Sequence, residues 1–189
     1  MRKVILYINV TLDGCTAGPN GELDWMLPDP EMNQTLSDEL RDRVDTILTG
    51  RNFYTAIDQS FRAQATDPAS PPALVDFANW MVHTPKVVFS RSLSTVDDND
   101  QLAGADIAAE IAALKNKPGK DMVHFGGSSI VQEFIQHGVV DEFWIKLYPI
   151  ALGQGLPMFT ENDQRANLEL VSSTGYDSGI VVLRYLSRR

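Results

Sequence analysis

Four short apolar runs, at 3–10, 44–49, 86–89 and 121–125, are each followed by a segment of helical period before the next begins, and then the helices stop. That order constrains the fold more than any other feature. Strands separated by helices must be joined by crossovers, which build a parallel sheet with helices packed on it. The helical segments are marked by apolar residues spaced three and four apart. Leu36, Leu40 and Val44 predict a helix over 33–43; a second is expected at 73–82; Ile107, Ile111 and Leu114 mark a third; the last runs over 129–137 and is closed by Gly138. Residues 55–72 are polar and carry Pro68, Pro71 and Pro72, and are expected to form an irregular excursion. After it, 142–150, 168–173 and 179–186 read as strands without intervening helices, the last two close enough for a hairpin. The expected fold is a three-layer α/β/α domain over 1–189, its central sheet mostly parallel with an antiparallel C-terminal hairpin edge.

Composition narrows the function. A formal net charge of −9 argues against a nucleic-acid backbone or an anionic membrane as partner, so an anionic small molecule would need a local basic pocket. Cys15 is the single cysteine, which excludes an intrachain disulfide, and with three histidines it cannot build a zinc site without several carboxylates. The N-terminal apolar run is too short for a signal peptide, and no stretch of about 20 apolar residues is present, so a cytoplasmic location is expected. The apolar Phe143, Trp144 and Ile145 suggest an edge through which a homodimer could form.

The most informative segment is Met122-Val-His-Phe-Gly-Gly-Ser-Ser-Ile130, an apolar strand that meets two glycines and turns into a helix. Paired glycines let a ligand approach the backbone, and the helix start offers free N–H groups and a partial positive charge to a phosphate, as in a dinucleotide pyrophosphate. Ser129 and Gln132 have the spacing of a capping box, so an ordinary tight turn with a cap fits the same residues. No Gly-x-Gly-x-x-Gly fingerprint occurs. Thr49-Gly50-Arg51 and Ser90-Arg91-Ser92 end two other strands. An open parallel sheet binds ligands beyond the carboxyl ends of its strands, where Arg51 and Arg91 could make charge-assisted hydrogen bonds to a phosphate; either could equally be a surface ion-pair residue.

These motifs keep the order seen in the dihydrofolate reductase-like superfamily. Leu48-Thr-Gly-Arg-Asn-Phe-Tyr54, Val88-Phe-Ser-Arg-Ser-Leu93, Phe125-Gly-Gly-Ser-Ser129 and the stretch from Gly138 through Phe159 resemble it over nearly the whole chain. The closer resemblance is to the C-terminal reductase domain of the bifunctional riboflavin-biosynthesis deaminase/reductase, whose Ser-Leu-Asp-Gly motif Thr11-Leu-Asp-Gly14 resembles with Thr in place of Ser. The deaminase signature, His-x-Glu with Pro-Cys-x-x-Cys, is absent, so a stand-alone reductase-like domain is expected.

The resemblance implies NADPH as cofactor and hydride transfer to a C=N or C=O of a small heterocyclic or ribosylamino substrate. It implies that Gly50 and Arg51 contact cofactor phosphates, that Ser90 and Arg91 hold the adenosine 2′-phosphate, and that Gly126, Gly127, Ser128 and Ser129 form the pyrophosphate loop, with Gly155, Leu156 and Pro157 near the cofactor. Asp13 and Gly14 fall in the loop that covers nicotinamide and substrate. Trp25-Met-Leu-Pro28 resembles the Trp-x-Leu-Pro of dihydrofolate reductases, but the position of their pterin-holding carboxylate is Pro30 here. Its neighbours Asp29 and Glu31 are the substitutes if the register slips by one; the alternative is a solvated acid at a helix start. Asp13 and Glu31 are thus the candidate catalytic groups, and Trp25 and Asp29 the candidate substrate contacts. A pterin reductase and a non-catalytic NADPH-binding module are the other functions this pattern allows.

Overall fold

The computed structural model describes residues 1–160 and 165–188, the side chains at 57, 58, 128 and 129 excepted. The chain enters through β1 (Val4–Thr11) and a short β2 (Cys15–Ala17), then forms α1 (Pro30–Arg43), β3 (Val44–Gly50), α2 (Arg51–Thr66), α3 (Pro72–His83) and β4 (Lys86–Phe89). It continues through β5 (Gln101–Leu102), α4 (Ile107–Asn116), β6 (Asp121–Phe125), α5 (Ser128–Gln136) and β7 (Glu142–Tyr148). A short β8 (Leu156–Pro157) precedes β9 (Asn167–Gly175) and β10 (Val181–Arg188). Eight strands form one sheet in the order β5-β4-β3-β6-β1-β7-β10-β9. Strands β5 to β7 in that order pair in parallel, whereas β10 runs antiparallel to both β7 and β9. Strands β2 and β8 form a separate antiparallel ribbon.

Because strand side chains alternate between faces, β1 feeds two cores. Ile5 and Tyr7 pack with Met32, Leu36 and Leu40 of α1 and with aromatic residues of α2 and α3. Val4, Leu6 and Ile8 pack on the opposite face with Ile111 and Leu114 of α4 and Val131 and Phe134 of α5. Each such fully buried side chain contributes about 1.5–3 kcal/mol of apolar burial. The expected α/β fold with a mostly parallel sheet and an antiparallel hairpin edge is the fold observed. Among the described residues, no helix is long and apolar enough to cross a membrane.

Three expectations are corrected. The excursion at 55–72 is mostly the helix α2, which starts directly after β3. Its prolines all lie beyond Thr66, and Phe61 meets Phe77 of α3 at 5.9 Å between ring centroids, so tertiary packing stabilises a polar segment as a helix. The cap position of α5 is Gly127, which places Ser129 within the first turn, and Gln132 Nε2 donates to the Pro157 carbonyl at 2.9 Å. Phe143, Trp144 and Ile145 form no edge, because β7 lies between β1 and β10 and all three are buried. The dimer expectation loses that basis; the outer strand β9 instead exposes Leu170 and Val171. The two-residue strands β5 and β8, and the three-residue β2, are too short to show a period.

Ala63 is exposed in α2. Ala63→Pro should cost about 3 kcal/mol or more and Ala63→Gly about 1 kcal/mol, read from urea midpoints at constant m-value. An irregular segment would accept both at little cost.

Candidate functional site

Strand β6 lies between β3 and β1. The helices that follow β3 and β1 pack on one face of the sheet, whereas α5, which follows β6, packs on the other. Chain segments leaving adjacent strands on opposite faces open a crevice at the strands' carboxyl ends. Helices α2 and α5 both begin at this crevice, with Gly50 and Gly127 at their cap positions and no side-chain hydrogen bond to cap either. Their first-turn N–H groups can therefore serve an anion. A Cβ on Gly50 would stand 2.8 Å from Cγ1 of Ile130, so the α5 start packs directly on the α2 start. Gly126 and Gly127 have φ of 48° and 92°, a region that favours glycine, and a Cβ on either would meet nothing within 4 Å. The space before α5 is open. The side chains of Ser128 and Ser129 lie outside the described residues.

Cationic and hydroxyl groups collect at the ends of β3 and β4. Arg51 Nη1 donates to Ser92 Oγ at 2.8 Å and links the two loops. Ser90 Oγ accepts from the N–H groups of Ser92 and Leu93 at 3.2 and 3.0 Å, which curls the loop back toward Arg51. Arg91 is 96% exposed and stands 3.7 Å from Glu133 of α5, an ion pair that solvent screens. Both arginines are available to a ligand at this edge of an acidic protein.

A second group of contacts gathers beyond the carboxyl end of β1. Thr11 Oγ1 donates to Asp13 Oδ1 at 2.5 Å and accepts from the Cys15 N–H at 2.9 Å, while the Gly153 N–H donates to Asp13 Oδ2 at 2.7 Å. The Thr11 hydroxyl, and next the Gly153 N–H, hold the Asp13 carboxyl below its ordinary pKa. Asp13 is thus an ionised acceptor at neutral pH, which suits it to hold its own loop to Gly153 rather than to donate a proton. Beyond it, β2 pairs with β8; a Cβ on Gly155 would lie 2.5 Å from the Ala17 carbonyl, so only glycine fits between the two strands. Leu156 lies in this ribbon, half-buried, and accepts from Thr16 Oγ1 through its carbonyl at 3.1 Å.

The remaining expected residues lie on the α1 side. Trp25 is buried, with Nε1 donating to the Glu22 carbonyl at 3.1 Å and its ring edge-on to Tyr148 at 5.2 Å. Asp29 is the cap of α1, where it is buried rather than solvated: Oδ1 accepts from the Met32 N–H at 2.8 Å and Oδ2 from the Ser178 hydroxyl at 2.5 Å. It ties the start of α1 to the turn between β9 and β10. Glu31 is exposed on the first turn of α1, so the buried carboxylate of this pair is Asp29.

Sequence reasoning missed Asn9, His124 and Lys146. Lys146, in β7, pairs in register with Asn9 of β1, and its Nζ lies 4.2 Å from the centroid of the Tyr7 ring. Burial lowers its pKa to about 7. The available signal was a polar residue inside each of two apolar strands, VILYINVT and EFWIKLY, which matters only once both are known to be central. His124 is wholly buried between β6 and α5. Its Nδ1 lies 2.8 Å from the Leu48 carbonyl and must carry the proton, since a carbonyl only accepts.

Fold and crevice together define a dihydrofolate-reductase-like domain. The chain belongs to the RibD C-terminal domain family, whose model matches residues 2–182. The Bacillus subtilis protein YyaP, itself uncharacterised, is 38% identical over 186 residues, covering 97% of this chain and 94% of YyaP. A protein from Shewanella sp. PV-4, provisionally named for riboflavin biosynthesis, has a solved structure that matches with a TM-score of 0.76 at 26% identity over 99% of both chains. The Thermotoga maritima deaminase/5-amino-6-(5-phosphoribosylamino)uracil reductase shares the fold, with a TM-score of 0.69 at 15% identity, over 99% of this chain and 57% of that one.

Burial without a charge partner holds the His124 pKa down to about 4, against about 6.5 in an unfolded chain. The unfolded state then binds the extra proton first, so this residue's stabilisation is complete above pH 6.5 and is lost as pH falls toward 4. Urea titrations of wild type and His124→Phe should show a fall from pH 7 to pH 5 that is smaller in the variant by about 2 kcal/mol.

Proposed function

We propose that this protein is a NADPH-dependent reductase, a single domain over 1–189, that delivers hydride to a C=N or C=O carbon of a small heterocyclic or ribosylamino substrate of the riboflavin-pathway type. The observation that carries this reading is the pair of uncapped helix starts, α2 and α5, meeting at one crevice where the glycine turn leaves open space. That cradle fits a pyrophosphate: first-turn N–H groups supply donors and partial positive charge, and no side chain fills the approach. Arg51 and Arg91, with the Ser90 and Ser92 hydroxyls, fit the adenosine 2′-phosphate that distinguishes NADPH from NADH. The family match over residues 2–182 and the 26% identity to the Shewanella protein support the same pathway.

NADPH, when bound, supplies the hydride. The chain's own residues bind, orient and exclude water. Helices α2 and α5 hold the phosphates from two sides of the sheet, and the β2–β8 ribbon, fastened through Asp13 and Gly153, covers the reacting end. Leu156 offers an apolar side chain in that cover. Trp25 and Asp29 shape the substrate side, where Asp29 acts by fixing the start of α1. Both of its oxygens are already engaged, which favours a ribosylamino or pyrimidine substrate over a pterin held by a free carboxylate.

The test is a set of dissociation constants for NADPH and NADH. Wild type should prefer NADPH. Arg51→Ala and Arg91→Ala should each weaken NADPH binding by about tenfold or more, as for loss of a charge-assisted hydrogen bond, and leave NADH almost unchanged. Gly127→Val, which fills the open cradle, should weaken both cofactors together. Equal losses for both cofactors in the arginine variants would move those residues off the 2′-phosphate, and a wild type that binds neither would sink the reductase reading.

A further inference from the structure

Among the described residues three lysines are buried: Lys86, Lys115 and Lys146. Two are structural. Lys86 Nζ donates to the Val82 and Thr84 carbonyls at 3.0 and 2.9 Å, and Lys115 Nζ to the Val139 carbonyl at 2.8 Å with Asp141 at 2.5 Å. Lys146 differs. It is 6% exposed, yet among the described residues it has no hydrogen bond and no carboxylate, only the face of Tyr7. Its register partner Asn9 has the matching deficiency: Nδ2 donates to Met26 Sδ at 3.0 Å, while Oδ1 is buried with no partner. The Asn9 amide oxygen, wholly buried, loses several kcal/mol of hydration unless something bonds to it, and the Lys146 ammonium, mostly withdrawn from water, has no carboxylate to offset that loss.

Their position says what that is. In parallel pairing, register partners point to the same face, so Asn9 and Lys146 stand side by side on the α1 face of the sheet. Strand β6 pairs with β1 only as far as Tyr7–Phe125, and the Gly126–Gly127 turn follows at once. Asn9 thus lies past the end of β6, beside the mouth of the cofactor crevice and below the Thr11–Asp13 cover.

We infer that Lys146 and Asn9 form the substrate-recognition floor, reading the lactam edge of a planar heterocycle: Lys146 Nζ donates to its carbonyl oxygen, and Asn9 Oδ1 accepts from the adjacent ring N–H. This rests on the reductase reading and adds the edge by which substrate is held. One donor and one acceptor side by side complement a –CO–NH– unit, and Tyr7 beneath the ammonium supplies a flat apolar wall. The near-neutral pKa that burial imposes on Lys146 is consistent with a group whose natural partner arrives with the ligand.

The test uses 5,6-diaminouracil, titrated calorimetrically into the full chain with and without NADP⁺. Lys146→Met and Asn9→Ala should each weaken its binding by about tenfold or more while NADP⁺ affinity stays within about twofold. 5,6-Diamino-1,3-dimethyluracil, which keeps the carbonyls and lacks ring N–H groups, should bind more weakly to wild type and be insensitive to Asn9→Ala. Since Met removes an unpaired buried charge, Lys146→Met should also be at least as thermostable as wild type. If it nevertheless fails to fold, the carbon NMR signal of Lys146 Cε in wild type must move on adding 5,6-diaminouracil; an unmoved signal overturns the inference. A folded Lys146→Met with unchanged affinity overturns it, as does a wild type that binds NADP⁺ but not 5,6-diaminouracil. Lysine-dependent binding of the pyrimidine by a protein that takes no nicotinamide cofactor would support the floor and overturn the reductase reading, and binding of neither overturns both.

Discussion

The crevice depends on two neighbouring strands ending at different heights. Strand β6 stops at Phe125, opposite Tyr7, while β1 continues to Thr11 alongside β7. Beyond Tyr7, β1 has a strand on one side only, and the space on the other is where the backbone turns through Gly126 and Gly127 into α5. That turn needs positive φ twice in succession, which only glycine adopts without strain. A side chain at either position would fill the open approach and distort the start of α5. The helix in turn leans on Gly50 through Ile130, so the starts of α2 and α5 are positioned by one close contact. Strand length, turn conformation and helix direction thus form one constraint from which the remaining geometry of the site follows.

Electrostatics divides the crevice into two chemically different ends. In a chain of net charge −9, Arg51 and Arg91 stand exposed at the ends of β3 and β4, where an incoming phosphate can meet them while both remain hydrated. At the other end the groups are largely buried. Lys146 is buried against Tyr7, and Asp29 is buried at a helix cap with each oxygen already bonded. An exposed cation loses little when it waits for a ligand, whereas a buried one is held in place by the rest of the fold at a standing cost. The Asp13 carboxylate between them is occupied by Thr11 and Gly153.

Much of this was legible in the sequence, and what was not follows a pattern. The order of apolar runs and helical periods determined the class of fold, because crossover connections impose a parallel sheet, and the hairpin at the end was written in three strands without helices. The glycine pair after β6 was readable as a tight strand-to-helix turn, since its two positive φ angles favour glycine. The residues 51–66 carry Phe53, Ile57 and Phe61 at helical spacing, but the polar residues between them and the prolines just beyond Thr66 mask that signal, and the packing of Phe61 on Phe77 of α3 decides it. Phe143, Trp144 and Ile145 suggested an edge because apolarity alone does not tell an outer strand from a central one. Only the pairing of β7 with β1 and β10 decided that. The same pairing brings Asn9 and Lys146 together: they are far apart in sequence and individually unremarked, and stand side by side only when parallel register sets them on one face. Local chemistry is carried by the chain, but the juxtaposition of groups from distant strands is a product of sheet order and register, which depend on the packing of the whole domain.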